Sequence, residues 1–191
     1  MVVTKVRMYE GEILLSTKEQ FILRHPDEFF LVGSSLEISD LEKMAVEAGR
    51  TLTSLPRESE KKFLMDGDSD AYSFPLRPPL GWILVGRSDD CYVILNKEKV
   101  SRVHAKIYYG PDGKEINIFD NSSNGTYVNG KKISMRTPVR DGDIIGFSQS
   151  HLFNFYSNGA FYVAVRDIYR PKRLNRHRPC FKPDNGKRSP S

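Results

Sequence analysis

Short apolar runs and clusters of turn-forming residues alternate along the second half of the chain. The runs are rich in β-branched and aromatic residues, and they read WILVG, CYVIL, HAKIYY, EINIFD, TYVNG, DIIGF, LFNFY and FYVAVRD. Many short strands at close spacing predict an antiparallel β-sandwich or barrel. In EINIFD the alternation directs Ile116 and Ile118 to the core and Phe119 to the opposite face, where Phe119 needs a second partner surface.

The first third of the chain has a partly helical pattern instead. Residues 39–42 (SDLE) have the form of a capping box, apolar residues follow at helical spacing, and Gly49 is typical of a helix end. A second short helix is predicted from Pro56 to Leu64. The turn cluster that begins at Asp66 marks a change of pattern. We therefore divide the chain into a mixed, helical N-terminal extension over 1–65 and a sandwich over 66–168.

The end of the chain is basic. Residues 166–191 contain nine Lys/Arg and two Asp/Glu, whereas the whole chain has a net charge of +5. From residue 169 the sequence contains prolines and few aliphatic residues, so it buries too little apolar surface to offset its ordering entropy, and we predict a disordered tail over 169–191. Three interpretations stay open: a solvated end, a nuclear import signal in RPKRLNRHR, or weak nonspecific contact with nucleic acid.

Composition and motif spacing argue against several classes of protein. No stretch approaches the ~20 consecutive apolar residues of a membrane helix, and the N-terminus lacks a signal-peptide core, so we expect an intracellular protein without a membrane anchor. The two cysteines and four histidines show no ligand spacing, so we expect neither a metal site nor a disulfide framework. Phosphate-loop and dinucleotide motifs are absent from the sequence, so no cofactor is expected, and the oligomeric state stays open.

Two polar segments flank the predicted strand HAKIYY and its neighbour. They are Ser-Arg-Val-His at 101–104 and Asn-Ser-Ser-Asn-Gly-Thr at 121–126, and Gly86-Arg87 ends an earlier strand. Loops of a sandwich collect at its two ends. If these loops share one end, they bring together a guanidinium, hydroxyls and an amide, which suit a tetrahedral dianion. Without a glycine-rich cradle, this combination favours a phosphorylated side chain over a nucleotide.

A catalytic arrangement of Ser101, His104 and Asp120 is the alternative for the same residues. A hydrolase needs its serine bonded to a base and the base bonded to an acid. Ser101 and His104 stand three residues apart at the start of one strand, so they point to opposite faces. Asp120 begins a turn, where capping of backbone N–H groups is the usual role of aspartate. We therefore expect no catalytic residues and no enzyme.

The segments GRSDDCYVILNKEKVSRVHAKI and DNSSNGTYVNG resemble the forkhead-associated (FHA) domain family. The resemblance rests on three separated motifs in the family's order: Gly-Arg, Ser-Arg-x-His, and Asp-x-Ser-x-Asn-Gly-Thr-x-Val-Asn-Gly. It covers about half the chain, roughly residues 66–168. It implies an eleven-stranded sandwich that binds phosphothreonine peptides through loops at one end.

The resemblance also implies roles for individual residues. By position, Arg87 and Ser101 match phosphate contacts, and Ser123 and Asn124 match positions that hold the phosphothreonine and the peptide main chain. Lys99 matches a position that tunes affinity or recognises the third residue after the phosphothreonine. The implied phosphopeptide contacts are Arg87, Lys99, Ser101, Arg102, Ser123 and Asn124, and the implied structural supports are Gly86, His104, Gly125, Thr126, Asn129 and Gly130. Taken singly, Gly86-Arg87 is more typical of a turn with a solvated arginine than of a binding site.

The sequence thus predicts a non-enzymatic adaptor that binds a phosphothreonine-containing protein, with a nuclear signalling role. The alternative is a nuclear, nucleic-acid-associated factor whose basic tail binds nucleic acid and whose sandwich docks a protein. A third hypothesis is a regulatory fragment of a kinase or forkhead transcription factor, although neither catalytic nor forkhead sequence is present in these residues.

Overall fold

Two packed β-sheets form the body of the protein in a computed structural model, which describes residues 2–26, 28–47, 65–75, 81–110 and 115–170. The larger sheet has the strand order β1-β3-β2-β12-β11-β8-β9, and the smaller has the order β10-β7-β6-β4-β5. The strands are β1 (Val2–Lys5), β2 (Glu28–Gly33), β3 (Asp70–Pro75), β4 (Trp82–Gly86), β5 (Val93–Ile94), β6 (Ala105–Tyr109), β7 (Ile116–Asp120), β8 (Thr126–Val128), β9 (Lys131–Lys132), β10 (Thr137–Val139), β11 (Ile144–Phe147) and β12 (Leu152–Ser157).

The predicted antiparallel sandwich is confirmed, with one parallel pair. All described strand pairs are antiparallel except β4–β5. Apolar side chains from both sheets fill the space between them, including Ile107, Ile118 and Phe155. The alternation predicted for β7 is also confirmed, because Ile116 and Ile118 are buried whereas Phe119 is 39 % exposed. The described strands number twelve, one more than the resemblance implies.

The N-terminal segment is part of the larger sheet. Strand β1 pairs with β3, and β2 lies between β3 and β12 and is hydrogen-bonded to both. Phe29 and Leu31 of β2 face the core between the sheets, whereas Phe30 and Val32 face the other side. The structure therefore differs from a division at residue 65: strands from the first 33 residues complete the sheet. Strand pairing over such a distance leaves no local signal in the sequence.

Helices cover the outer face of the larger sheet. They are a 3₁₀ turn (Val6–Tyr9), α1 (Glu10–Leu15), α2 (Lys18–Arg24), α3 (Ile38–Glu47) and α4 (Asn158–Tyr169). Phe21 of α2 and Phe161 of α4 join Phe30 of β2 in a second core on this face. The rings of Phe30 and Phe161 stack with centroids 4.0 Å apart. None of the helices in the described ranges is long and apolar enough to span a membrane.

Helix α4 corrects the strand predicted for FYVAVRD. The Ser157 hydroxyl accepts the Ala160 N–H at 3.4 Å and so caps the N-terminus of a helix. Phe161, Tyr162 and Val165 then lie on one buried face, as the helical period requires. The run also alternates with a period of two, so periodicity alone cannot assign so short an apolar segment.

Helix α3 begins earlier than the predicted capping box. Its first residue is Ile38, and the Asp40 carboxylate accepts the Glu37 N–H at 3.0 Å. The carboxylate therefore caps from within the first turn, in the position that a box shifted by two residues would use. The predicted stop at Gly49, the predicted helix over 56–64 and most of the predicted tail lie outside the described residues.

Candidate functional site

The loop after β4 is joined to the loop before β6 by backbone hydrogen bonds. The Arg87 N–H donates to the Ser101 carbonyl at 3.0 Å, and the Ser88 N–H donates to the Arg102 carbonyl at 3.0 Å. A Cβ added at Gly86 would clash with that same Arg102 carbonyl. Glycine at the end of β4 therefore permits the close approach that brings Arg87 beside Ser101.

The loop between β7 and β8 reaches the same place. The Ser123 N–H donates to the Ser101 Oγ at 3.2 Å, and the Asn124 Nδ2 donates to the Lys99 carbonyl at 2.8 Å. Lys99 has a left-handed backbone, with φ +62°, and this directs its carbonyl toward Asn124. The structure thus brings together the three loops whose motif residues the sequence singles out.

His104 connects two of these loops from below. It is fully buried, its Nδ1 accepts the Ser101 N–H at 3.0 Å, and its Nε2 lies 3.2 Å from the Gly125 carbonyl. A carbonyl only accepts, so Nε2 carries the proton and the ring is neutral. Burial lowers the pKa of His104, which keeps it neutral. This geometry is that of a loop support, the place that the resemblance implies for His104.

Asp120 organises the β7–β8 loop. Its Oδ1 accepts from the Ser122 N–H, the Ser122 hydroxyl at 2.7 Å and the buried Thr126 hydroxyl at 2.8 Å. Burial opposes ionisation of this carboxyl, but the hydrogen bonds outweigh it and the pKa of Asp120 is lowered. The Ser122 Oγ in turn accepts the Gly125 N–H at 2.7 Å. The carboxylate is therefore engaged within its own loop, as its turn position predicts.

The exposed rim of the three loops is cationic. Arg87, Lys99 and Arg102 are exposed, and none of their side chains has an ion pair within the described part of the chain. Ser123 and Asn124 are exposed beside them, whereas Ser101 is half-buried. The rim therefore offers positive charge, N–H groups and hydroxyls to an incoming ligand.

Asn129 and Gly130 lie away from these loops. They form the β8–β9 turn with positive φ, +52° and +75°. The Asn129 side chain bonds to the Asp143 carboxylate and the Ile144 N–H. Its contacts therefore tie β8 to the start of β11 rather than to the loop over 122–125.

The contacts of Ser101 and His104 are not those of a nucleophile and its base. The imidazole accepts the backbone N–H of Ser101, and the Ser101 Oγ accepts the Ser123 N–H. No hydrogen bond joins the hydroxyl to the ring among the described residues. No group of His, Cys, Asp and Glu in the same residues has the spacing of a metal site.

Three contacts of the site were not predicted from the sequence. Ser122 holds the Gly125 N–H, His151 contacts the Glu98 carbonyl at 2.8 Å, and the Lys132 side chain lies across Gly125. The position of Ser122 had a signal, because a serine two residues after a turn aspartate commonly bonds to that aspartate, as Ser122 does to Asp120. The other two join elements distant in sequence and leave no local pattern.

We expect acid to destabilise the protein through His104. Its pKa is lowered in the folded state, so the unfolded chain binds the proton more readily as the pH falls below about 6.5. The contribution of His104 is thus present above the pKa of the unfolded state and is lost as the pH falls. Urea unfolding at pH 7.5 and 5.5 should show a larger loss for wild type than for His104→Gln. His25 and His151 are present in both proteins, so they do not contribute to the difference between the two losses. Equal losses of unfolding free energy in the two proteins would contradict the assignment of the acid effect to His104.

The fold and the site together are those of a recognition module. The protein is a two-sheet sandwich that presents an arginine, hydroxyls and an amide on linked loops. Comparison with protein families identifies the class further, because residues 83–148 match the FHA domain model. The chain therefore contains an FHA domain, and the match spans β4 to the end of β11.

Curated relatives share this region. The chain is 33 % identical over 90 residues to the serine/threonine-protein kinase cds1 of Schizosaccharomyces pombe, which covers 43 % of the chain and 20 % of the kinase. It is 33 % identical over 85 residues to the DNA damage response protein kinase DUN1 of Saccharomyces cerevisiae, which covers 40 % of the chain and 17 % of that kinase. The chain thus spans about a fifth of the length of these relatives.

Solved structures of FHA domains are also similar. One, studied for phosphothreonine-dependent FHA domain interactions, has 28 % sequence identity and a TM-score of 0.39, and it covers 45 % of this chain and 84 % of its own. Another, the MEK1 FHA domain in complex with a phosphothreonine peptide of HOP1, has 26 % identity and a TM-score of 0.39, and it covers 46 % of this chain and 89 % of its own.

Proposed function

We propose that this protein is a non-enzymatic adaptor that binds phosphothreonine-containing segments of other proteins through the three linked loops. One observation carries the proposal: Ser101 accepts the Arg87 N–H at its carbonyl and the Ser123 N–H at its hydroxyl. These bonds hold Arg87, Ser101 and Ser123 side by side, and the family resemblance implies phosphate and peptide contacts for these positions. Kinase activity is a property of the much longer relatives and is no part of this proposal.

The chemistry of the rim suits a phosphate dianion. An arginine guanidinium forms bidentate, charge-assisted hydrogen bonds with phosphate, and Arg87 is exposed and free to do so. The Ser101 hydroxyl and exposed Arg102 add further donors. The one carboxylate within the 120–126 loop, Asp120, accepts its hydrogen bonds from Ser122 and Thr126 inside its own loop.

Discrimination between phosphothreonine and phosphoserine tests this proposal. The phosphate is the same in both, so preference must come from the threonine methyl, whose burial is worth about 0.8 kcal/mol, or roughly fourfold in affinity. An unfilled hole beside phosphoserine adds to that difference. We expect the loop over 122–126 to form the wall of the space that the methyl group fills. Asn124 fixes the peptide main chain beside it. Calorimetric titration of two peptides that differ only in the methyl measures the preference.

The Asn124→Ala variant locates the source of the preference. We expect it to reduce the ratio between the two peptides, whereas Arg102→Ala should weaken both peptides alike because it removes charge only. Equal affinities of the wild type for the two peptides would show a generic anion site and would contradict the proposal.

We assign nuclear location and any contact with nucleic acid to the basic C-terminal residues. Nine Lys/Arg against two Asp/Glu over 166–191 support this proposal, and such binding depends steeply on salt. A chain ending at Arg170 keeps α4 intact, so its peptide affinity should equal that of the full chain. If removal of the tail leaves nuclear accumulation and the retention of DNA or RNA unchanged, the tail is only a solvated end and the nucleic-acid-associated alternative fails.

A further inference from the structure

Lys132 lies against the loop that carries Ser123 and Asn124. It is in β9, opposite Tyr127 of β8, and its side chain crosses the Cα of Gly125. A Cβ added at Gly125 would lie 2.5 Å from the Lys132 Cε and 3.0 Å from its Nζ. Gly125 also has φ +87°, so the backbone favours glycine there, and the end of the Lys132 side chain occupies the space that a Cβ would take.

The ammonium group of Lys132 has no carboxylate partner among the described residues. Lys132 is exposed, and no ion pair of its Nζ occurs in the parts of the chain that the structure describes. Asp120, the acid of the neighbouring loop, accepts its hydrogen bonds from Ser122 and Thr126. The positive charge of Lys132 is therefore available to a ligand.

The position of Lys132 is separate from the rim around Arg87. Gly125 directly follows Asn124, and consecutive Cα atoms are about 3.8 Å apart. A peptide whose main chain is held by Asn124 therefore runs within about one side-chain length of the Lys132 ammonium. Arg87 and Ser101 lie on the other linked loops, where the proposed function puts the phosphate, so Lys132 is placed to meet a different group of the same peptide.

We propose that Lys132 makes the site select phosphothreonine segments that carry a second anionic group near the phosphothreonine. This inference rests on the proposed function. The second group is a carboxylate of Asp or Glu, or another phosphate, since either forms a charge-assisted bond with an ammonium. Exposed ion pairs contribute about 0.2–1 kcal/mol, so the second charge raises affinity up to about fivefold.

Lys131 provides a matched control. It has the same charge and the same strand, and it is also exposed. Successive side chains of a strand point to opposite faces, so Lys131 does not share the position of Lys132 over Gly125. Methionine is the suitable replacement at both positions, because it removes the charge and keeps the aliphatic chain that covers Gly125.

The experiment titrates the full chain with a series of phosphothreonine peptides. One peptide has only neutral residues beside the phosphothreonine. Each of the others carries a single glutamate, or a single phosphoserine, at one of the three positions before or the three positions after the phosphothreonine. We expect wild type and Lys131→Met to bind one acidic peptide up to about fivefold more tightly than the neutral one, with a larger gain for phosphoserine. Lys132→Met should lose this gain and keep the affinity for the neutral peptide, and added salt should reduce the gain in wild type.

Three results would overturn the inference. In the first, Lys132→Met and wild type gain the same affinity for the acidic peptide over the neutral one. In the second, wild type gains no affinity at any position. Either result would show that Lys132 binds no second anionic group. Lys132→Met with equally weakened binding of acidic and neutral peptides would show a structural role over Gly125. If wild type binds no phosphothreonine peptide of the series, the proposed function itself fails.

Discussion

Replacement of Arg87 by alanine is expected to abolish measurable phosphopeptide binding. Loss of one partner of a buried or ligand-bound charge pair costs about 2–5 kcal/mol, and a micromolar complex is held by only about 8 kcal/mol. The affinity should therefore fall from the micromolar range by a factor of at least about thirty. Isothermal titration calorimetry with the phosphothreonine peptide measures the change.

The fold should survive this substitution. Arg87 is exposed, and its link to Ser101 is made by its backbone N–H, which alanine keeps. Arg140 is the matched control: it is an exposed arginine whose N–H bonds to Asp143, near the Asn129 turn and away from the three loops. Arg140→Ala should bind the peptide as wild type does. Wild-type affinity in Arg87→Ala would remove Arg87 from the site.

Deletion of residues 1–33 is expected to unfold the sandwich. The deletion removes β2 from between β3 and β12, and with it Phe29 and Leu31 from the core between the sheets. Burial of one such side chain is worth about 1.5–3 kcal/mol, and β2 buries four, while domains are stable by only about 5–15 kcal/mol. Near-ultraviolet circular dichroism and thermal unfolding should show no cooperative transition.

A point substitution and an opposite truncation complete this test. Leu31→Ala leaves β2 paired and should lower the free energy of unfolding by about 2–5 kcal/mol. Removal of residues 171–191 takes away none of the described elements and should leave the transition unchanged. A cooperative transition in the chain that lacks residues 1–33 would show that the N-terminal strands are an accessory to the sandwich.

The sequence predicts the features of the structure that depend on local or repeated patterns. Alternation in β7 separates Ile118 from Phe119, and turn residues separate most strands, so the sandwich followed from periodicity. The site loops followed from residue types that suit a dianion, supported by the family resemblance. The place of β2 in the larger sheet was not predicted, because its partners β3 and β12 are distant in sequence. Helix α4 was predicted as a strand, because its short apolar run fits both periods. The Lys132 contact with Gly125 depends on tertiary packing, which no local pattern encodes.

The central place of β2 constrains how the chain is synthesised. Strand β2 can pair with β3 about 40 residues later, where Val32 lies opposite Ala71, but its other edge waits for β12, where Gly33 lies opposite Phe153. Translation adds about 5–20 residues per second, so this edge stays open for on the order of ten seconds on the ribosome. An open apolar strand edge is a template for aggregation. Until the last strand emerges, Phe29–Val32 is therefore the segment whose open edge most needs protection from pairing with another chain.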